Sequence, residues 1–548
     1  MKTLTKMLRK GGVILLSMML PLCTWAQDYS KYTHVPGNYI ELDPIKNSTT
    51  KHFNGCKWES GHDNVGYIKN GAYSTYHICV DQAGIYELSM GISRSNAGTF
   101  TLTITDETSG KKEFEHQYDI PKPASEYDEC TFEIGWLTAG YKTVTLLCNY
   151  SVASDYIMNY NKLTFNKYPT IASWDFSDSS NGYVQKDGSK SPFLIFYPGK
   201  QAYGDNNMFT LSTRGVESGG LGSAILNVDT DLELREASTP TINGVKQYIT
   251  DATITDGSKH NVYYEISMPT IGFENVSLTA WVSHNQANHN MYAVYSIDGG
   301  ATWTGTQKVA LNKTQASYVP ISISIPGGQD SVLVRLHPDN NWYYYLKSCI
   351  VSGKKVSSYK VRTNAKGWAS FSAVHPVSLP AGLTAYAATN VSNTYVTLNT
   401  LTQVAAEEGV FVYGTPNTEY TLNVLDEEVT KETTNLIKPI LLTSVGHKVA
   451  STETIYALAT KKDVCGLYKV DTDVTVKGKA YLDATSKSLS KAPAYFNLND
   501  DNSATGIIEI PAATVLDEAQ PCYNLMGQRV GKGTKGIILT DGKKVFNK

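Results

Sequence analysis

Apolar and polar residues alternate in short runs along most of this chain. Tyr73–Val80, Gly84–Ile92, Thr99–Asp106 and Thr143–Asn149 each change character at every second position. A period of two sends successive side chains to opposite faces of an extended strand. Phe100-Thr101-Leu102-Thr103-Ile104 and Val144-Thr145-Leu146-Leu147 add the β-branched character that strands favour. Turn residues part the runs at a spacing of roughly 8–12 residues, which is that of a β-sandwich. The pattern predicts an all-β chain of tandem β-sandwich domains, with no tandem repeat of fixed period. Tyr168-Pro169 reads as a boundary. The predicted segments are 36–168, 170–356, 357–510 and a short tail of two or three strands, 511–548.

The first residues follow another rule. Lys2, Lys6, Arg9 and Lys10 precede a short apolar stretch through Leu22, and Thr24-Trp25-Ala26 offers small residues where a signal peptidase reads. This is the form of a secretory signal peptide, 1–26, too short to span a membrane stably. Cleavage is expected after Ala26. Leu22 before Cys23 is bulkier than a lipid-attachment signal takes. No later run approaches the 18 or so apolar residues that a spanning helix requires, so no transmembrane segment is expected.

Composition narrows the class. Of the 548 residues 18% are charged, below the roughly 25% usual for soluble proteins. Tyrosine is abundant, at 36 against 14 Phe and 8 Trp. So many rings argue against disorder, and the strand-and-turn composition argues against a coiled coil. The net charge is −3, and loss of the four N-terminal cations makes it −7, so capture of nucleic acid is disfavoured. Of eight cysteines, Cys56, Cys79, Cys130 and Cys148 share the first domain, where one or two bridges could form after export. No C-x-x-C pair supports a zinc ribbon or thioredoxin-type site. A Gly-x-Ser-x-Gly elbow, a His-Glu-x-x-His helix and a phosphate-binding glycine loop are also missing.

Several motifs in the first domain occur in a telling order. They are Tyr39-Ile40-Glu41-Leu42-Asp43, Asn64 to Tyr76, Ala83-Gly84-Ile85-Tyr86, Leu137-Thr138-Ala139-Gly140 and Met158-Asn159-Tyr160-Asn161-Lys162-Leu163-Thr164-Phe165. Together they resemble the family 6/35-type carbohydrate-binding modules over 36–168. The resemblance implies a jelly-roll sandwich with a sugar cleft among the loops at one end. Rings there cover the apolar C–H face of a sugar, and Asn side chains bond its hydroxyls. By position, Tyr67 and Tyr127 are the rings and Asn159 is the hydroxyl partner. The family often holds a structural calcium, for which Glu41, Asp43 and Asn161 (where an Asp is usual) are the matching oxygen ligands.

The other segments are less specific. Ser296-Ile297-Asp298-Gly299-Gly300-Ala301-Thr302-Trp303 is a single Asp-box pattern, read as a structural hairpin. With six arginines after residue 26, an arginine cluster of the sialidase kind has little support. Trp281 and Trp342-Tyr343-Tyr344-Tyr345 read as core and sheet edge, with a second ligand surface as the alternative. His284 and His289 read as a solvated loop. Segment 357–510 resembles the accessory β-domain of many secreted Bacteroidetes surface proteins. Cys522-Tyr523-Asn524-Leu525-Met526-Gly527 followed by Lys535-Gly536-Ile537 is similar to C-terminal sorting domains of the type IX secretion system, whose machinery becomes an expected partner. The sequence thus points to a secreted or cell-surface protein that binds a polysaccharide or glycan without catalysis. The alternatives are a polysaccharide-degrading enzyme with its site in 170–356, and a surface adhesin without sugar binding.

Overall fold

The computed structural model describes residues 32–42, 52–93, 98–121, 127–149, 156–186, 194–214, 222–236, 241–242, 245–246, 262–286, 288–311, 317–339, 342–487, 489 and 492–498. Beyond these it describes the short strands between Ile508 and Asn547 and their neighbour Gln528. The signal-like start, Cys23 and Asp43 lie outside the described residues. The chain divides into two compact units, Met1–Pro169 and Thr170–Lys548. Both are built of strands, with two single-turn 3-10 helices among the described residues. No helix there is long and apolar enough to cross a membrane.

The described residues of the first unit form eleven strands: β1 (Thr33–Val35), β2 (His52–Asn54), β3 (Lys57–Glu59), β4 (Asn64–Gly66), β5 (Tyr73–Val80), β6 (Gly84–Ser93), β7 (Thr99–Asp106), β8 (Lys112–Asp119), β9 (Asp128–Leu137), β10 (Gly140–Asn149) and β11 (Asn159–Lys167). They form two sheets, one ordered β1-β5-β10-β7-β8 with β2 also on β5, the other β3-β4-β11-β6-β9. The alternation read from sequence decides which residues meet between them. Tyr76, Ile78, Phe100, Leu102, Val144 and Leu146 come from one sheet, and Val65, Leu88, Met90, Phe132, Tyr160 and Phe165 from the other. A shared hydroxyl cluster ties the two layers together. The Tyr160 hydroxyl lies 2.6 Å from that of Tyr76 and 2.6 Å from that of Ser74, all buried. Each such bond adds about 1 kcal/mol net, and far more is lost if one partner is left alone.

Lys142 is the one fully buried ammonium among the described residues. It stands on β10 in phase with the core, and its Nζ donates to Asp106 (2.5 Å), Thr138 (2.8 Å) and Glu113 (3.2 Å). A buried charge persists when its donors are satisfied in this way.

The second unit opens with a sandwich of two seven-stranded sheets. Its core includes Trp174, Phe196, Tyr264, Leu278, Val334, Tyr344 and Leu346. A smaller sandwich of two five-stranded sheets follows, with Trp368, Phe411, Tyr456 and Phe496 between them. The two sandwiches touch: His375 Nε2 lies 2.8 Å from the Gly272 carbonyl, and Asp330 accepts from Thr443 and Ser444. The strand Ile508–Pro511 joins the smaller sandwich, and Cys522–Asn524, Arg529–Val530, Gly536–Thr540 and Lys543–Asn547 form a four-stranded sheet.

Hydrogen bonding from Lys142 holds the Asp106 carboxyl at about 2, against 3.8 for the free group. A carboxyl lowered by folding stabilises the fold fully above its unfolded value, and that contribution is lost as pH falls toward the folded one. Melting of the chain should therefore show the first unit losing stability from about pH 4 down to pH 2. Asp106→Asn should lower stability at pH 6 and flatten this decline. An unchanged slope in the variant would remove the pair from the account.

Candidate functional site

The outward face of the β3-β4-β11-β6-β9 sheet is polar where its inward face is core. On β11, Tyr160 points inward, so Asn159 and Asn161 point outward. Asn159 stands opposite Ser93 and Asn161 opposite Gly91 on β6. On β4, Val65 is core, and Asn64 and Gly66 take the outer face. Glycine in a strand leaves room for a close neighbour, and two such glycines open this face. A Cβ on Gly66 would fall 2.1 Å from Glu59 Oε2 and 3.0 Å from Asn159 Oδ1. A Cβ on Gly91 would fall 2.1 Å from Asn161 Oδ1 and 3.7 Å from the Tyr127 ring. The glycines therefore form the floor of a strip that carries Glu59, Asn159, Asn161 and Tyr127.

Two orphan acceptors lie in this strip. Asn64 Nδ2 donates to Glu59 Oε2 at 2.8 Å, yet its Oδ1, like that of Asn161, is buried without a hydrogen-bond partner among the described residues. A buried carbonyl oxygen left alone costs on the order of 1–3 kcal/mol, which a donor from a ligand or a water would relieve.

Tyr67 ends β4 at the margin of the strip. Its φ is +56°, a left-handed conformation costly for any residue with a side chain. The backbone turn places the ring outward, 44% exposed. The Ile157 amide donates to the Ile68 carbonyl at 2.7 Å, drawing the segment before β11 against the one after β4. This pairing brings in a second ring, Tyr156, 47% exposed. The two rings meet edge to face, with centroids 5.5 Å apart and planes at 86°. Lys57 Nζ sits 3.8 Å from the centre of the Tyr67 ring and Lys69 Nζ 5.2 Å from that of Tyr156.

The three residues expected to bind sugar thus border or lie on one strip. Tyr67 is at one margin, Asn159 on β11, and Tyr127 reaches in over Gly91 from the start of β9. Tyr156, Glu59, Asn64, Lys57 and Lys69 were not read from sequence. Tyr156 stands three residues before Asn159, and that proximity was the available signal. The expected calcium ligands are arranged otherwise. Glu41 lines a hollow of about 510 Å³ with Tyr39, Trp58, Asp63 and Lys162, and Asn161 does not line it. Asn161 directs its oxygen toward Gly91 instead. Lys162 also lines the Glu41 hollow, and Asp43, the third expected ligand, lies outside the described residues.

In the second unit the Asp-box is a turn whose carboxylate is fully used. Asp298 accepts from Ser296 (2.7 Å), from the Thr302 amide (2.9 Å) and from the Thr302 hydroxyl (2.5 Å), which holds its carboxyl well below the usual range. His284 and His289 correct the expectation of a solvated loop. His284 is fully buried, its ring lies 4.1 Å from that of His289 and 4.4 Å from that of Tyr344, and burial lowers it to about 4. Sequence missed this because the packing comes from Tyr344, on a distant strand. Tyr344 is core. Tyr343 and Tyr345 alternate to the other face, where Glu233 pairs with Tyr345 and Arg235 with Tyr343. Asp231, on the same face, accepts from Tyr318 (2.6 Å) and Asn227 (2.6 Å). Burial raises the Glu233 carboxyl, and the charge of Asp231 adds to the shift.

No protein-family model and no curated protein matches the chain. Solved structures do. A β-1,3-glucan-binding family 6 module from Bacillus halodurans is 14% identical, over 25% of this chain and 98% of that one, with TM-score 0.20. A family 6 module from Clostridium cellulolyticum, in complex with xylose, is 20% identical over 25% and 98%, with TM-score 0.19. A tandem family 22 module pair from Paenibacillus barcinonensis is 7% identical over 53% and 87%, with TM-score 0.18. These values are low, and the functional reading rests on the residues of this chain.

Proposed function

We propose that the first unit binds a polysaccharide in the strip bounded by Tyr67, Tyr156 and Tyr127. The observation that carries this reading is the exposed Tyr67–Tyr156 pair beside Asn159, above a floor opened by Gly66 and Gly91. Rings offer flat apolar area at small entropic cost. Amides at Asn159, Asn161 and Asn64 offer both donors and acceptors, as neighbouring hydroxyls require. The described residues of the strip supply rings and amides, the groups of recognition, and none of them pairs a nucleophile with a base. The basic-ended tail supports a second proposal, that the protein is exported and sorted to the cell surface through 511–548.

A reading as a cleaving enzyme is favoured by one observation in the second unit. Asp231 and Glu233 are two residues apart on one face of a strand, which sets their Cα atoms about 7 Å apart, and a glycosidase likewise uses two acidic side chains on one cleft. Glu233 is raised, as a general acid is, and Tyr318 and Tyr345 lie beside the pair.

Three measurements test these readings. A glycan array followed by affinity electrophoresis of the exported chain should find a retained polysaccharide. Tyr67→Ala, Tyr156→Ala and Asn159→Ala should each weaken retention at least about tenfold, or about 1.4 kcal/mol. No retained glycan, or three variants that bind normally, would end the binding proposal. Incubation of the retained polysaccharide with the full chain should release no reducing ends. Release that falls about a hundredfold or more in Glu233→Gln would establish the cleaving enzyme instead. Deletion of 511–548 should leave the protein in the periplasm when intact cells are surface-labelled, and a variant still labelled outside would reject sorting by the tail.

A further inference from the structure

The other sheet of the first unit carries a second group of side chains, unrelated to the strip. β1 runs parallel to β5, and this pairing sets His34 directly beside Cys79. Cys79 lies on the outer face of β5, and Asp81 follows two residues later, on the same side by strand periodicity. The ligand atoms of the three residues, an imidazole nitrogen, the thiol sulfur and a carboxylate oxygen, all lie within 4.8 Å of one another. His34 Nδ1 and Asp81 Oδ1 are 2.7 Å apart.

The backbone holds this trio in place. The Asp81 amide donates to the Val35 carbonyl at 3.0 Å, closing the end of the β1–β5 ladder. Asn38 Nδ2 donates to the His34 carbonyl at 2.7 Å and steadies the turn after β1. Nearby titratable side chains on this face have other partners. His77 and Tyr32 both bond Glu107, at 2.6 Å each. Lys142 is engaged with Asp106 and Glu113.

We propose that His34, Cys79 and Asp81 form a binding site for a divalent transition metal of the zinc class. Zinc takes nitrogen at about 2.0 Å, sulfur at about 2.3 Å and carboxylate oxygen at about 2.0–2.2 Å. Tetrahedral bonds of these lengths put neighbouring ligand atoms roughly 3.2–3.7 Å apart. The trio's ligand atoms, all within 4.8 Å of one another, already lie near that spacing. A thiolate beside an imidazole selects zinc, cobalt or copper over calcium, which prefers oxygen alone. His34 and Asp81 are about half exposed, at 55% and 46%, so an ion can enter from solvent and keep a water as its fourth ligand. On binding, the sulfur–metal bond replaces the S–H bond, and the proton passes to solvent. The site also gives a use to the partly exposed Cys79 thiol, which forms no disulfide.

Cobalt(II) is the probe, because a thiolate–cobalt bond gives an intense near-ultraviolet charge-transfer band. Titration of the reduced, exported chain should give that band with saturation at one ion per chain. Zinc should displace it and calcium should not. Cys79→Ala should abolish the band, and His34→Ala should weaken binding at least about tenfold. Cys130→Ala should bind as the parent does. Both positions are partly exposed, and melting curves of the variants confirm that they fold. A chain that shows no band, or a band that survives Cys79→Ala in a folded protein, overturns the site. Glycan retention by Cys79→Ala should match the parent, since the trio stands on the other sheet.

Discussion

Three hydroxyls meet inside the first sandwich, and the register of β11 follows from them. Tyr160 reaches across the core to Tyr76 and Ser74 on the opposite sheet, each 2.6 Å away. A slip of β11 by one residue would pull that hydroxyl out of the core and leave its two partners buried and unsatisfied. It would also turn Asn159 and Asn161 inward. The same bonds that close the core therefore decide that two amides face outward on adjacent positions of one face. In this register the Asn161 oxygen on β11 and the Asn64 oxygen on β4 are buried without a hydrogen-bond partner among the described residues.

Strand periodicity made the sandwich legible before any coordinates. The run Tyr73–Val80 is β5 with those same ends, and Thr99–Asp106 is β7. Alternation is a local property, and it survives because one face of each strand must be dry. The strip was legible in part, since Tyr67 and Asn159 fall in ordered motifs and Tyr127 follows by its position between them. Tyr156, Glu59 and Asn64 were not. They enter through the β3–β4 hairpin and through one amide-to-carbonyl bond between Ile157 and Ile68, and neither pairing leaves a mark in the sequence around those residues. His284 shows the same limit in reverse. Its polar neighbours Asn285 and Asn288 suggest water, but the ring that covers it belongs to Tyr344, sixty residues on.

The cysteines carry a related lesson about environment. Cys56, Cys79, Cys130, Cys148 and Cys349 are free thiols. Burial pushes Cys56 and Cys148 up to about 12, so at neutral pH they are small apolar core residues rather than nucleophiles. Cys79 differs because its strand phase turns it to the outer face, where a histidine and a carboxylate wait. On β5 and β10 the chemistry open to Cys79 and Cys148 thus depends on which face their strand phase gives them.

A sandwich has two outer faces, and the physics keeps them apart. On the β4–β11–β6 side, glycines remove side chains and leave a floor beside which rings and amides stand. At the β1–β5 edge, a parallel pairing places residues 45 apart in sequence side by side and gathers a nitrogen, a sulfur and an oxygen at one point. The dry core between the sheets screens neither site from solvent, and no described hydrogen bond links His34 or Asp81 to the strip. Loss of an ion at the edge should then leave the strip as it stands, unless binding at the edge tightens β1 on β5. β5 carries Tyr76 and Ser74, the partners of Tyr160, so the hydroxyl cluster is the path by which any such tightening would reach Asn159.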